Sequence, residues 1–199
     1  MALWCKLNSR KTICMKVVRG LLYCTLTLGV LVMIAGFFMP AEWSVQQQHY
    51  IASPPAAVYS ELSCLKNRTH WEQRFCTDKS LIATYNSIAS GKGASCFWKS
   101  DNNGSGTATV TACQENRWLK EEWLLSGKQK VEITYTLQPA EGGTWLKTTF
   151  RTSTNGLLSK LMAYAWVKPT VKRHLKQNAI RLQTYLITTK KTSFLHKKT

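Results

Sequence analysis

The stretch from Gly20 to Met39 constrains this chain more than any other. It runs Gly-Leu-Leu-Tyr-Cys-Thr-Leu-Thr-Leu-Gly-Val-Leu-Val-Met-Ile-Ala-Gly-Phe-Phe-Met, without a charge. About 20 residues of helix reach roughly 30 Å, the thickness of the hydrocarbon core of a bilayer. Thr25 and Thr27 fit such a helix, because a threonine hydroxyl can bond back to its own helical turn. Pro40 follows directly and ends the helix. The sequence therefore predicts a basic N-terminus over 1–16, a transmembrane helix over 17–40, and a tethered domain over 41–188. Residues 189–199 are basic and patternless, which predicts a disordered tail.

The flanks orient the span. Lys6, Arg10, Lys11, Lys16 and Arg19 precede it, with no acid among them, and the next basic residue is Lys66. Positive flanks stay on the cytoplasmic side, so a single-pass protein with its domain outside is expected, in the periplasm if the source is bacterial. A cleaved signal would have a shorter apolar region, about 7–15 residues, ending in a small-x-small site. Phe37, Phe38, Met39 and Pro40 fill that zone instead. Leu22-Tyr23 before Cys24 also lacks the small residue that a lipoprotein site wants. An uncleaved anchor is the expectation.

The formal charge is +17, and from Lys160 onward there is no acid at all. Lys168, Lys172, Arg173 and Lys176 would lie on one side of a helix there. They suit either a solvated face or anionic lipid headgroups, where each basic residue contributes about 1 kcal/mol. Nucleic acid fits less well, since the segment has no aromatic interleaving and no reader motif. The sequence leaves protein partners open. Cys64, Cys76, Cys96 and Cys113 lie in the domain, with no Cys-x-x-Cys and no histidine at ligand spacing, so no metal or other cofactor is expected. Cys64 and Cys76 bracket a short stretch; a bridge and two reduced thiols both remain open.

Along the domain, Trp43–Ile51 alternates well enough for a half-exposed or edge strand. Ser53-Pro54-Pro55 reads as a helix start with Ser53 as cap. Val58, Leu62 and Leu65 form its apolar stripe, and a second short helix is expected over 65–74 around Trp71. Period-two segments follow at Leu81–Ile88, Ala94–Lys99, Thr107–Cys113, Arg117–Leu125, Lys130–Gln138 and Thr144–Thr152. Short turns such as Ser126-Gly127 and Pro139-Ala140-Glu141-Gly142-Gly143 join them, which predicts an antiparallel meander. Then the period changes. Val171, Leu175, Asn178, Leu182 and Leu186 mark a helix, and Pro169 divides it into Leu157–Val167 and a long second piece.

In this order the elements resemble the helix-grip fold of the START-like (SRPBCC) superfamily of polyketide cyclase/dehydrase and lipid-transport proteins. The likeness is carried by Ile51-Ala52-Ser53-Pro54-Pro55-Ala56-Ala57-Val58-Tyr59, by Gly91-Lys92-Gly93-Ala94 with Phe97-Trp98, by Gly142-Gly143-Thr144-Trp145-Leu146, and by the long last helix through Leu182. Within the superfamily it runs to small bacterial proteins with one N-terminal membrane helix. The stretch after Trp71 departs from the pattern, with Glu72-Gln73-Arg74 in place of a second aromatic or proline cluster. The resemblance implies an α+β domain whose curved antiparallel sheet wraps the C-terminal helix. It also implies that apolar or aromatic molecules bind in a cavity between the two.

Strand parity suggests the lining. Leu146, Thr148 and Phe150 face inward on one strand, and Val131, Ile133, Tyr135 and Leu137 on the next. Ala94, Cys96 and Trp98 follow, then Ala108, Val110 and Ala112, which leaves Cys113 outward. In Arg117–Leu125, Leu119, Glu121, Trp123 and Leu125 inward buries one charge; the opposite register buries Lys120 and Glu122 and is worse by one. The candidate ligand cavity is therefore Trp98, Val110, Trp123, Ile133, Tyr135, Leu146 and Phe150 with Leu175, Asn178 and Leu182. Catalysis has weaker support: Glu121 and Tyr135 are the one acid/base pair that could reach the cavity, and a surface ion pair for Glu121 is the competing expectation. The expected function is a membrane-anchored, non-enzymatic binding domain for a hydrophobic small molecule or lipid. A cyclase/dehydrase-like enzyme using the same cavity, and a structural or partner-binding envelope protein with a filled core, are the alternatives.

Overall fold

A computed structural model describes residues 2–102, 104–126 and 129–196. Its first element is helix α1, Ala2–Phe38, and one part of it, Val18–Phe38 with mean hydropathy 2.2, is long and apolar enough to cross a membrane. Thr27 and Thr25 return their hydroxyls to carbonyls one turn back, as the sequence suggests.

Strand β1 (Glu42–Ile51) leads into helix α2 (Pro55–Ser63), a 3₁₀ turn at Leu65–Asn67, and the short helices α3 (Arg68–Trp71) and α4 (Gln73–Thr77). Pro54 is the cap of α2 and Pro55 its first residue, and no side chain caps it. Ser53 is instead buried, and its carbonyl accepts a hydrogen bond from the Thr144 hydroxyl at 2.7 Å. Strands β2 (Ile82–Tyr85), β3 (Ser95–Ser100), β4 (Gly104–Gln114), β5 (Trp118–Leu125), β6 (Gln129–Ala140) and β7 (Gly143–Ser153) then form the meander. They make one seven-stranded antiparallel sheet in the order β1-β7-β6-β5-β4-β3-β2, so β1 is an edge strand.

Inward residues match the parity expectation on β3, β5, β6 and β7: Cys96, Trp98, Leu119, Val131, Ile133, Leu137 and Leu146 are buried. β4 corrects it. Val110 pairs with Glu121 but Ala112 pairs with Lys120, so a bulge at Thr111 inserts one residue. Beyond the bulge Cys113 lies opposite inward-facing Leu119 and packs on the core, while Ala112 turns to the outer face. Cys64, Cys76, Cys96 and Cys113 are all free thiols.

The chain closes with α5 (Leu157–Met162), a π-helical turn (Ala163–Val167) and α6 (Lys168–His196). The π turn ends two residues before Pro169, whose missing N–H would otherwise break the α-helical ladder. Leu182 and Leu186 of α6 are buried against the sheet's concave face. The helix continues to His196, through residues expected to be a disordered tail, because nothing between Thr189 and His196 stops it.

Candidate functional site

Between the sheet and α6 the space is nearly full. One cavity of about 100 Å³ is lined by Glu72, Arg74, Trp123, Ile133, Tyr135, Phe150, Val171, His174, Leu175 and Asn178. A neighbouring void of about 20 Å³ touches Leu62, Trp71, Tyr135, Leu146 and Leu182. Six of the ten sequence-selected residues thus meet at the first cavity, and Leu146 and Leu182 at the second. Trp98 and Val110 line neither. Both are completely buried, and Trp98 packs edge-on against Trp123 at 5.3 Å between ring centroids. They are core, because this end of the sheet is covered by Phe75 and Arg74 from α4. A drug-sized ligand needs about 300–1,000 Å³, so the inner cavity is too small for a lipid.

Glu72 also belongs to a buried ion cluster. Glu121 has no exposed surface, and it pairs with Arg68 rather than with a surface cation. Its other carboxylate oxygen accepts a hydrogen bond from the Trp123 indole N–H at 2.8 Å. Arg68 also reaches Glu72 at 3.3 Å. Arg68 and Arg74 both approach Trp123, with guanidinium carbons 5.6 and 5.2 Å from its ring centroid. Burial pushes the Glu121 carboxyl upward, while Arg68 and the indole N–H pull it back. Burial disfavours the Arg68 cation, but Glu121 and Glu72 overcome this and hold its proton more tightly than usual. Tyr135 is raised well above the ordinary phenol range, first by burial and then by the Glu121 charge. Both Glu121 oxygens are occupied, so the cluster orders the core around Trp123 more readily than it transfers protons. Sequence reasoning missed Arg68 and Glu72. The available signal was the departure after Trp71, which brings Glu72 and Arg74 to the cavity wall.

A larger space lies further along the helix–sheet seam. A groove of about 710 Å³ runs between the ends of β1, β6 and β7 and the segment Leu158–Val167. Trp43, Leu158, Met162, Ala163 and Val167 give it an apolar lining, with Lys130, Ser153, Thr154, Asn155 and Ser159 at its polar margin. Trp43 is fixed there by an indole hydrogen bond to the Thr154 hydroxyl at 3.0 Å. It also stacks on Phe150 at 5.6 Å. Since Trp43 lines the groove and Phe150 the inner cavity, this ring pair stands between the two. None of the groove's lining was selected from sequence, because it comes from strand ends and a short helix rather than from strand centres.

Lys172, Arg173 and Lys176 are exposed on α6, and Lys168 is half-buried with its ammonium 4.8 Å from the Tyr164 ring centroid. Among the described residues no three His, Cys, Asp or Glu side chains converge to hold a metal.

No protein-family model matches the chain, and no curated protein matches it in sequence. Solved structures match in shape. Protein SA2116 from Staphylococcus aureus superposes with a TM-score of 0.61 over 75% of this chain and 96% of its own, at 10% identity. MLL2253 from Mesorhizobium loti gives 0.56 over 74% and 98%, at 18% identity. Ara h 8.0201 gives 0.55 over 74% and 99%, at 15% identity. At such identities the likeness is one of fold, and that fold is the helix grip.

Proposed function

We propose that this chain is a membrane-anchored binding domain for a hydrophobic small molecule or lipid, with α1 as a single-pass anchor and its N-terminus in the cytoplasm. One observation carries the reading: the groove of about 710 Å³ has an apolar lining, a polar margin and ligand-sized volume. The sequence-selected cavity under α6 offers only about 100 Å³, below the size such a ligand needs. The resemblance to the START-like superfamily supports an apolar ligand, and the basic flank before Val18 supports the orientation. The exposed Lys172, Arg173 and Lys176 support contact with anionic headgroups. The acid/base alternative has less behind it, because Glu121 is held by Arg68 and Trp123.

Native mass spectrometry of the purified full chain, followed by denaturing extraction, tests this. A reproducible bound mass and saturable uptake of a fluorescent fatty acid are expected. A clean apo mass with no saturable uptake overturns it in favour of a filled-core, partner-binding protein.

A further inference from the structure

The end of α1 is seated on α5. Gly36 is buried there, and the Leu157 side chain packs into the space that a side chain at Gly36 would take. The Lys160 ammonium donates to the Met39 carbonyl at 2.9 Å, just past the helix's last turn. Around this junction the surface is strongly apolar. Leu158 is 74% exposed, Trp166 66%, Phe37 82% and Phe38 80%. Met162 and Val167 are exposed in the same segment. Leu158, Met162 and Trp166 follow one another at four-residue spacing, so they form one stripe along α5 and the π turn. A soluble domain would not leave such a stripe bare beside two exposed phenylalanines.

We propose that Leu157–Val167 is a second membrane contact, immersed in the outer bilayer interface beside the end of the span. The inference rests on the reading of α1 as a membrane anchor. Gly36 lies two residues before the end of the candidate span, which is about 3 Å of helix. Whatever touches Gly36 is therefore at the depth of the span's last turn, and Leu157 does. The residue types agree with that depth. Tryptophan concentrates at the membrane–water boundary, which suits the exposed Trp166. Leu158, Met162 and Val167 also line the large groove, so its rim then opens onto lipid. The ligand would be a membrane-resident amphiphile that enters sideways from the bilayer without crossing water.

The test places p-benzoylphenylalanine, one position at a time, at 37, 158, 166 and 82 in the full chain. The protein is reconstituted in phosphatidylcholine vesicles with a minor share of phosphatidylglycerol, irradiated, and analysed by mass for lipid adducts. Ile82 is 71% exposed on β2, at the opposite edge of the sheet from β1, and serves as the distant control. Adducts at 37, 158 and 166 and none at 82 are expected. Adducts at 37 without any at 158 or 166 overturn the second contact and leave the anchor standing. No adduct at 37 overturns the anchor and the second contact together. Equal adducts at 82 and 158 overturn the localised contact in favour of nonspecific adsorption.

Discussion

Arg68 holds two carboxylates whose mutual repulsion the core would otherwise contain. Arg68→Met leaves Glu72 and Glu121 buried together without their shared counter-charge. Removing one partner of a buried ion pair costs about 3–5 kcal/mol, so denaturant titration should show a loss of that order. Replacing both carboxylates as well, in Arg68→Met with Glu72→Leu and Glu121→Leu, should restore most of it, since apolar exchange of a whole buried ion cluster is near neutral. An unchanged midpoint in the single variant would mean that the cluster does not order the core. Half of this cluster was legible in the sequence. Alternation on β5 faces Glu121 inward, because that register buries one charge rather than two. Its partner was not, because Arg68 sits on a one-turn helix whose four residues show no period. The contact also bridges 53 residues of chain, a separation no local pattern reports.

At the scale of elements, the meander was readable because each strand has a period of two and each turn its own chemistry. Gly142, for example, takes φ = +71° in the tight β6–β7 turn, where a side chain would be strained. The bulge in β4 was not readable, since Thr107–Cys113 alternates without a break and the extra residue shows only in its pairing with β5. The division before Pro169 was readable from the proline alone. Helix α6 also carries a pH dependence. His174 lines the inner cavity, and burial, then Arg173 and Arg74, lower its pKa from the ordinary 6.5. A histidine that resists protonation in the folded state favours folding above its unfolded pKa. That contribution is lost as pH falls through the depressed folded value. Stability should therefore decline as pH drops below about 6.5. His174→Gln should flatten this part of the profile in urea midpoints measured across the range. A slope identical to that of the parent chain would assign the decline to other groups.

For the whole molecule the question is which space holds a ligand, and volume decides it. The helix-grip architecture leaves about 100 Å³ beneath the N-terminal third of α6 and about 710 Å³ where α5 and the π turn meet the strand ends. Parity arguments from sequence point to the first, because they see strand centres; the second arises only when edge strand β1, two hairpin strands and a short helix are assembled. Two substitutions separate them. Ser159 is exposed at the groove margin, so Ser159→Trp places an indole across the groove without entering the core. Leu175 borders both inner voids, so Leu175→Trp fills them from the helix side. If the amphiphile occupies the groove, Ser159→Trp abolishes saturable fatty-acid uptake at an unchanged melting temperature. Leu175→Trp then keeps uptake, because a cavity below about 300 Å³ was never the container. The opposite pattern would move the ligand inward past Trp43 and Phe150. It would require that ring pair, stacked at 5.6 Å, to part on binding. Fluorescent fatty-acid titrations on the two variants, with thermal melts alongside, decide between the outer groove and the inner cavity.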